Sequence, residues 1–350
     1  MDAVVIERGG DAPTLRSIQR PTPQAGDVLV RTLRVGVDGT DYEVISGAHG
    51  GFPPDEEYLV MGHEAVGVVE EAPNSRFSRG DVVVPTVRRP PPDGPNEYFH
   101  RGEPDMAPPD ATVERGIDGA HGFMSEYFTS PENCLVTVPE ALAPAGFLVE
   151  PISIAEKALE LAWASRSSFD WRPETALVLG DGSLGLLALA MLSEHRCYCL
   201  GRSDPGEPSR ALVERLGATY VDSRETPVSD IPAQHEPVDV VFEATGYAKH
   251  AFESIEALAP AGVAALLGIP EPWRFEVDGG TLHREIVMGN KALVGSVNAG
   301  VRHFEAAVET LAALPDWLVE RYLEGVVPLA AYDRAFDDKG LKTAIEFTEL

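Results

Sequence analysis

A short glycine-rich segment between a strand and a helix constrains the fold of this chain more than any other feature. Residues 175–195, TALVLGDGSLGLLALAMLSEH, read as a buried strand, a turn and a helix, with a second apolar strand at 197–200. The first glycine of GxGxxG permits the tight turn, the second lets a pyrophosphate approach the backbone, and the third lets helix and strand pack closely. In this strand–turn–helix context the motif predicts a dinucleotide site at the helix N-terminus, formed by Gly180, Gly182, Ser183, Leu184 and Gly185.

Strand-like and helical segments continue to alternate after the glycine turn. The apolar segments are VDVVFEATG at 238–246, GVAALLGI at 262–269 and ALVGSVN at 292–298. Strands separated by helices at this spacing predict a doubly wound parallel sheet.

The N-terminal part of the chain has a different pattern. Residues 1–90 alternate short apolar runs with glycine and proline turns, as in a β-rich domain with barrel-like strands. Residues 88–120 are crowded with proline and polar groups and predict a long ordered loop or lobe. We therefore expect an α/β protein with two domains, a catalytic domain of residues 1–155 with 300–350 and a nucleotide-binding domain of residues 156–299.

The residues after the second strand bear on the choice of nucleotide. Proteins specific for NAD place an acid there to bind the ribose hydroxyls, whereas this chain has Arg202 and Ser203. A guanidinium and a hydroxyl suit a 2′-phosphate, so NADP is the expected cofactor. Asp204 follows Ser203 and lies near enough to bind the ribose hydroxyls of NAD instead. The alternative for Arg202 is a solvated side chain with no role in nucleotide binding.

The charge balance excludes some partners. Acidic residues number 56 against 28 basic ones, only five of them lysines, and the formal charge is −28 with a pI near 4.6. Such a chain repels phosphate backbones, so nucleic acid is an unexpected partner. Acid spread along the chain fits a cytoplasm at molar salt, where the Debye length is about 3 Å; an ordinary acidic protein is the alternative. Without a membrane-length apolar run, we expect a cytoplasmic protein.

Four potential metal ligands stand near predicted strand and domain ends. GHEAVG places His63 and Glu64 after an apolar run, VGVDGTDYE places Asp38 at the end of a strand, and GFLVEPISIAEKA buries Glu150 at the domain junction. A carboxylate in an apolar segment is costly unless it meets a cation or several donors. One nitrogen and several oxygen ligands with an open position would form a catalytic zinc site; a core histidine and a surface acid are the alternative.

Longer stretches carry a resemblance to a known family. GHEAVG, GDVVVP, the glycine motif and the domain order resemble the medium-chain zinc-dependent alcohol dehydrogenases over essentially the whole chain. VGVDGTDYE, PTVRRPPP, NEYFHRGEPDMAPP, ERGIDGAHGFMSEYF and EPISIAEKALE are similar to archaeal glucose dehydrogenases of that family, the halophilic members above all. The resemblance implies a GroES-like catalytic domain followed by a Rossmann domain.

The resemblance also implies roles for individual residues. Zinc would be bound by Asp38, His63 and Glu150, with Glu64 in or beside the ligand set. Asp38 stands where the wider family usually has cysteine, which makes the site harder and weaker for zinc. Thr40 would lie near the reacting oxygen, although a simple turn hydroxyl is an equal alternative. The sugar hydroxyls would face Asn96, Glu114, Glu150 and Asn298, and Asn298 would also contact the cofactor.

The chain has three cysteines, Cys134, Cys197 and Cys199, and none lies in the 88–120 lobe. The four cysteines that hold a structural zinc in many relatives are therefore absent, and we expect one zinc per chain. The odd count also argues against a disulfide framework.

The expected reaction is oxidation of an aldose, D-glucose above all, at C1 to the aldonolactone. Zinc would act as a Lewis acid, water or a carboxylate (Glu64 or Glu150) would relay the proton, and the hydride would pass to the nicotinamide. Three alternatives remain: another zinc-dependent polyol or amino-acid dehydrogenase, a zinc-free quinone reductase, and a non-catalytic NADP-binding protein. The resemblance also implies a homodimer or homotetramer joined through residues 292–298.

Overall fold

The computed structural model describes residues 1–337 and 340–349. The strands are β1 (Asp2–Glu7), β2 (Thr14–Ser17), β3 (Asp27–Val37), β4 (Tyr58–Val60), β5 (Glu64–Glu71), β6 (Val82–Pro85), β7 (Arg88–Arg89), β8 (Val113–Arg115), β9 (Gly119–Ala120), β10 (Tyr127–Pro131), β11 (Leu135–Thr137), β12 (Thr175–Leu179), β13 (Arg196–Gly201), β14 (Thr219–Asp222), β15 (Val238–Glu243), β16 (Leu258–Leu266), β17 (Ala292–Gly295), β18 (Val326–Pro328) and β19 (Thr343–Glu346). The α-helices are α1 (Gly39–Ser46), α2 (Glu97–His100), α3 (Val149–Arg166), α4 (Ser183–Met191), α5 (Pro208–Arg215), α6 (Ile231–Gln234), α7 (Ala248–Ala257), α8 (Gly279–Gly289), α9 (Val301–Ala313), α10 (Asp316–Leu323) and α11 (Arg334–Asp337). The 3-10 helices are Pro104–Met106, Pro109–Ala111, Glu132–Cys134, Glu140–Leu148, Val228–Asp230 and Leu329–Ala331.

One compact unit comprises Met1–Ser153 and the described residues from Asn298 onward. Its main sheet has the order β11-β6-β5-β3-β19-β18, and β10 also pairs with β3. β3 is the longest strand of this sheet, and its valines and leucines are buried because strands flank it along its length. A smaller sheet, β7-β8-β9, lies in the lobe predicted at 88–120.

The second unit, Ile154–Val297, contains a six-stranded sheet of order β14-β13-β12-β15-β16-β17. Its strand pairs are all parallel, and β12 is buried along its whole length. An order of 3-2-1-4-5-6 is that of the doubly wound dinucleotide-binding fold. The predicted combination of a β-rich domain and a Rossmann sheet is confirmed.

Several local boundaries differ from the sequence expectation. α3 begins at Val149 and so includes Glu150 and Pro151 in its first turn, where proline is tolerated because no helical partner is required for its nitrogen. A helix, α1, follows directly after Asp38, where a strand end or turn was expected. The described part of the chain has no helix whose length and apolar character would suffice to cross a bilayer.

Candidate functional site

Strand pairing brings the predicted metal ligands to one end of the main sheet. Asp38 directly follows β3, and Glu64 begins β5, which runs antiparallel to β3 with Gly36 opposite Glu64. His63 therefore lies beside the point where β3 passes into α1. Glu150 reaches the same place from the first turn of α3.

Two overlapping groups of side chains meet at His63. One contains His63, Glu64 and Glu150, the other contains His63, Asp38 and Asp41, and in each group the ligand atoms lie within 4.8 Å of one another. His63 Nε2 is 3.6 Å from Asp38 Oδ1. The exposed fractions of His63, Glu64 and Glu150 are only 4%, 1% and 5%.

The donor set fits a zinc ion. Zinc takes imidazole nitrogen and carboxylate oxygen, and catalytic sites use three protein ligands with one open position. His63 Nδ1 is buried and has no hydrogen-bond partner among the described residues, so the imidazole retains a nitrogen for further contact. Several buried carboxylates around one imidazole are costly without a cation to neutralise them.

The protonation equilibria reflect this crowding. Burial raises the pKa of Glu150 to about 8, with the charges of Glu64 and Asp38 adding to the effect and His63 opposing it. Burial acts in the same direction on Asp38, but His63 and Lys342 together hold the pKa of Asp38 below its ordinary value. Burial lowers the pKa of His63, yet the Asp38 charge and hydrogen bond outweigh burial and raise it.

Lys342 is part of the site, although the sequence analysis did not identify it. Its ammonium donates to Glu64 Oε1 at 2.6 Å and lies 2.5 Å from Oε2, and both side chains are almost completely buried. Lys342 immediately precedes β19, which pairs with β3 on the side opposite β5. The two side chains meet across Gly36, where a Cβ would clash with the Glu64 carboxylate. The sequence signal that pointed to Lys342 was its rarity, since the chain has only five lysines.

Asp41 is a second residue that the sequence analysis did not assign to the site. Asp38 is the N-cap of α1 and accepts from the backbone nitrogens of Thr40 at 2.9 Å and Asp41 at 3.3 Å. Asp41 returns a bond from its own carboxylate to Asp38 N at 3.0 Å, completing a capping box. Burial raises the pKa of Asp41 to about 7 against the attraction of His63. Thr40, partly buried, is thus fixed at the first turn of the helix.

Glu114 and Asn298, both predicted sugar ligands, contact each other through Glu114 Oε1. This oxygen accepts from Asn298 Nδ2 at 3.4 Å and from Arg88 Nε at 2.9 Å. Arg88 is 3% exposed and also donates to the backbone carbonyls of Asp105 and Ala107. Arg88 therefore links the Glu114 carboxylate to the backbone of residues 105 and 107 within the lobe.

Asn96, the remaining predicted sugar ligand, has both polar atoms of its amide engaged within the lobe. Its oxygen caps α2 by accepting from Tyr98 N at 3.0 Å, and its nitrogen donates to Ala111 O at 2.7 Å. These contacts give Asn96 a structural role, while its predicted contact with the sugar stays a prediction.

The glycine motif has the predicted strand–turn–helix context in the second unit. Gly180 has φ of 116°, in the region that favours glycine, and Gly182 is the N-cap of α4, which Ser183 begins. A Cβ on Gly185 would clash with the Gly180 carbonyl oxygen. A Cβ on Gly182 would have no neighbouring atom within 4 Å, so this glycine leaves open space where a pyrophosphate approaches.

The residues after β13 form a hydrogen-bonded group with Asp181 of the glycine motif. Ser203 N donates to Tyr220 Oη at 2.7 Å and to Asp181 Oδ2 at 3.3 Å. Arg202 is exposed. The Asp204 carboxylate lies 2.7 Å from Arg224 Nη1. Asp204, the acid that the sequence offered for binding NAD, is therefore already in an ion pair.

Comparison with known proteins gives a consistent result over the whole chain. Residues 24–140 match the model of the alcohol dehydrogenase GroES-like domain, and residues 143–347 match that of the glucose dehydrogenase C-terminus. Glucose 1-dehydrogenase 1 of Haloterrigena turkmenica is 60% identical over 365 residues, covering 100% of both chains. Glucose 1-dehydrogenase of Halobacterium salinarum is 60% identical over 354 residues, covering 99% of both. A structure of the Haloferax mediterranei glucose dehydrogenase in complex with NADP, zinc and gluconolactone superposes with a TM-score of 0.98 at 58% identity, covering 100% of both chains.

Proposed function

Because the chain belongs to the glucose 1-dehydrogenase family, we propose that it oxidises D-glucose at C1 to the aldonolactone with NADP as hydride acceptor and one zinc ion. The observation that carries the proposal is that His63 belongs to two overlapping groups of potential ligands, one with Glu64 and Glu150 and the other with Asp38 and Asp41. The chain that presents them is 60% identical over at least 99% of its length to two glucose 1-dehydrogenases. The related Haloferax protein is seen with NADP, zinc and gluconolactone.

The residues that would hold zinc are Asp38, His63 and Glu150, with Glu64 in or beside the ligand set. Bound there, zinc would act as a Lewis acid and withdraw electron density from the C1 oxygen of the sugar. Glu64 is already neutralised by Lys342, which supports a place beside the ligands rather than among them. Asp38 is held by the capping box and His63 is buried, so both side chains would be positioned in advance to hold zinc.

The reaction moves a hydride and a proton. The hydride leaves C1 for C4 of the nicotinamide, the C1 hydroxyl loses its proton, and the carbon–oxygen bond becomes the lactone carbonyl. Glu150 or Glu64 accepts the proton directly or through water, and Thr40 at the first turn of α1 serves as a relay hydroxyl. Glu114 and Asn298, already joined in this structure, bind sugar hydroxyls together with Asn96.

NADP is bound by the turn and helix start at Gly180, Gly182, Ser183, Leu184 and Gly185, with Asn298 as a further contact. The open space at Gly182, and the absence of a side-chain cap on this glycine at the start of α4, support binding of the pyrophosphate. Arg202 and Ser203 contact the 2′-phosphate, as their position after β13 supports.

The test of the substrate is a panel of sugars and alcohols under one set of conditions. Purified protein with zinc at molar salt is given NADP and, in turn, glucose, galactose, sorbitol, threonine and ethanol, and NADPH formation is followed. The expected result is that glucose has the highest kcat/KM and yields the lactone. Higher activity on a polyol, threonine or a simple alcohol would replace the sugar assignment. Quinone reduction by NADPH without zinc would replace the whole reaction.

We also propose a cytoplasmic homodimer or homotetramer. β17 forms one edge of the parallel sheet, so its outer backbone groups are available to a second copy, and Val297 beside it is 47% exposed. The acidic composition suits a cytoplasm at molar salt. Light scattering after size-exclusion chromatography measures the oligomeric state, and a monomeric mass would overturn this part of the proposal.

A further inference from the structure

A carboxylate lies at the end of β13, although neither of the first two residues after the strand is acidic. β13 ends at Gly201 and is followed by Arg202 and Ser203. Dinucleotide-binding sheets place an acid about 20 residues after the glycine motif, where it binds the ribose 2′-hydroxyl. Here the corresponding position is reached by Asp181, which belongs to the glycine motif itself: its Oδ2 lies 3.3 Å from Ser203 N.

The position of the Asp181 carboxylate is fixed by its neighbours. Tyr220 donates to Asp181 Oδ2 at 2.8 Å and accepts from Ser203 N at 2.7 Å. A Cβ on Gly201 would clash with the Asp181 carboxylate, so only glycine allows this approach. Burial and the nearby Asp181 charge raise the pKa of Tyr220, which keeps the phenol as a donor. The same contacts leave Oδ1 of Asp181 without a hydrogen bond to the described residues.

Two arginines near the end of β13, Arg224 and Arg202, differ in whether they already form ion pairs. Arg224 is held by Asp222 at 2.6 Å and by Asp204 at 2.7 Å. Arg202 is exposed and forms no ion pair within the described residues. The strand end therefore presents one unpaired guanidinium and one fixed carboxylate with a free oxygen.

We propose that Asp181 is the specificity-determining residue that allows this enzyme to accept NAD beside NADP. Its carboxylate accepts a hydrogen bond from the 2′-hydroxyl of NAD and repels the 2′-phosphate of NADP, which Arg202 attracts. This inference rests on the proposed function in one respect: the nucleotide bound at the glycine motif is the hydride acceptor.

The test is nucleotide binding to the full-length protein without sugar, measured by isothermal titration calorimetry at constant molar salt. Asp181→Asn removes the charge and keeps an oxygen acceptor for Tyr220 and Ser203. The expected result is a rise of about tenfold in the preference for NADP over NAD, equivalent to about 1.4 kcal/mol. A ratio within twofold of the wild-type ratio, or a shift toward NAD, would overturn the proposal.

A matched control makes the same change of charge before the start of β12, whereas Asp181 follows the end of that strand. Asp170→Asn lies before β12, and the Asp170 side chain is 76% exposed. This control is expected to leave the preference unchanged; an equal shift in both variants would assign the effect to net charge and overturn the proposal.

A second variant covers the case in which Asp181→Asn fails to fold. Tyr220→Phe removes the hydrogen bond from Tyr220 to Asp181 without changing the charge. It is expected to weaken NAD binding more than NADP binding; equal weakening would overturn the proposal.

Kinetics with glucose are measured separately. Wild-type protein that binds both nucleotides without oxidising glucose would refute the proposed function while the Asp181 test keeps its meaning.

Discussion

At the scale of single residues, the site depends on charges that compensate one another in a buried place. Glu64 and Lys342 are 1% and 3% exposed at their side chains and face each other directly. A buried carboxylate that loses its cation retains the full cost of desolvation, which exceeds what the pair contributes as a whole. Lys342 therefore supplies the positive charge that compensates the buried Glu64 carboxylate.

Lys342→Met is predicted to lower the free energy of unfolding by about 3–5 kcal/mol, because Glu64 is left buried and unpaired. Chemical denaturation of the chelator-treated protein at constant molar salt measures the loss. Arg79→Met is the control, since Arg79 is 74% exposed and its bond to Glu70 contributes about 1 kcal/mol or less. Adding Glu64→Gln to Lys342→Met is expected to restore part of the stability. Equal losses for the Lys342 and Arg79 variants would contradict this account.

At the scale of elements, the glycine motif was predictable from one local segment, whereas the contact between Glu64 and Lys342, which depends on sheet pairing, was not. The whole glycine motif lies within a single strand–turn–helix segment, so its local sequence sufficed to predict it. Lys342 is 278 positions from Glu64, and only the antiparallel pairing of β3 with both β5 and β19 brings them together.

The start of α1 was missed for a different reason. Asp38 was interpreted as a ligand at a strand end, although Asp38 and Asp41 have the spacing of a capping box, a signal present in the sequence. The Asp38 carboxylate therefore has two roles: it caps helix α1, and it is a potential metal ligand. The confirmed fold class agrees with the apolar segments and the glycine motif, which predicted a β-rich domain and a parallel sheet, and with the family resemblance, which implied the GroES-like domain.

Substitutions at Asp38 separate its two roles. Asp38→Asn retains an acceptor for the Thr40 and Asp41 amides and is predicted to keep the stability of the metal-free protein, yet to retain less zinc. Asp38→Ala loses the cap as well and is predicted to lose about 1 kcal/mol in addition. Unfolding curves in chelator and zinc content after dialysis measure the two effects. Full zinc retention by both variants would remove Asp38 from the ligand set.

Two glycine substitutions test the nucleotide turn. Gly182→Ala adds a Cβ into open space and is predicted to leave the melting temperature unchanged while weakening NADP binding at least tenfold. Gly185→Ala is predicted to destabilise the protein, because its Cβ clashes with the Gly180 carbonyl. Calorimetric titration and thermal melting are measured on both variants. Unchanged NADP affinity in Gly182→Ala would place the pyrophosphate elsewhere.

At the scale of the whole molecule, the net charge governs the conditions in which the fold is stable. A formal charge of −28 produces self-repulsion that salt screens, with Debye lengths of about 10 Å at 0.1 M and 3 Å at 1 M. The acid-rich composition is therefore expected to determine the salt concentrations at which the fold is stable, while the pattern of apolar residues determines which fold forms.

The melting temperature is predicted to rise steadily as potassium chloride increases from about 0.1 M to the molar range. Differential scanning calorimetry of the zinc-loaded protein measures this dependence, with an osmolyte series at fixed salt as the control for general exclusion effects. A melting temperature independent of salt would contradict the interpretation of the composition.

The side chains clustered around His63 are proposed to bind the zinc on which glucose oxidation depends. The most direct measurement compares zinc content and glucose-dependent NADPH formation in wild-type protein, chelated protein with and without restored zinc, and His63→Ala. We expect one zinc per chain, loss of turnover on chelation with recovery on restoring zinc, and a loss of at least about a hundredfold in His63→Ala. Turnover that survives both chelation and the His63 substitution would contradict it.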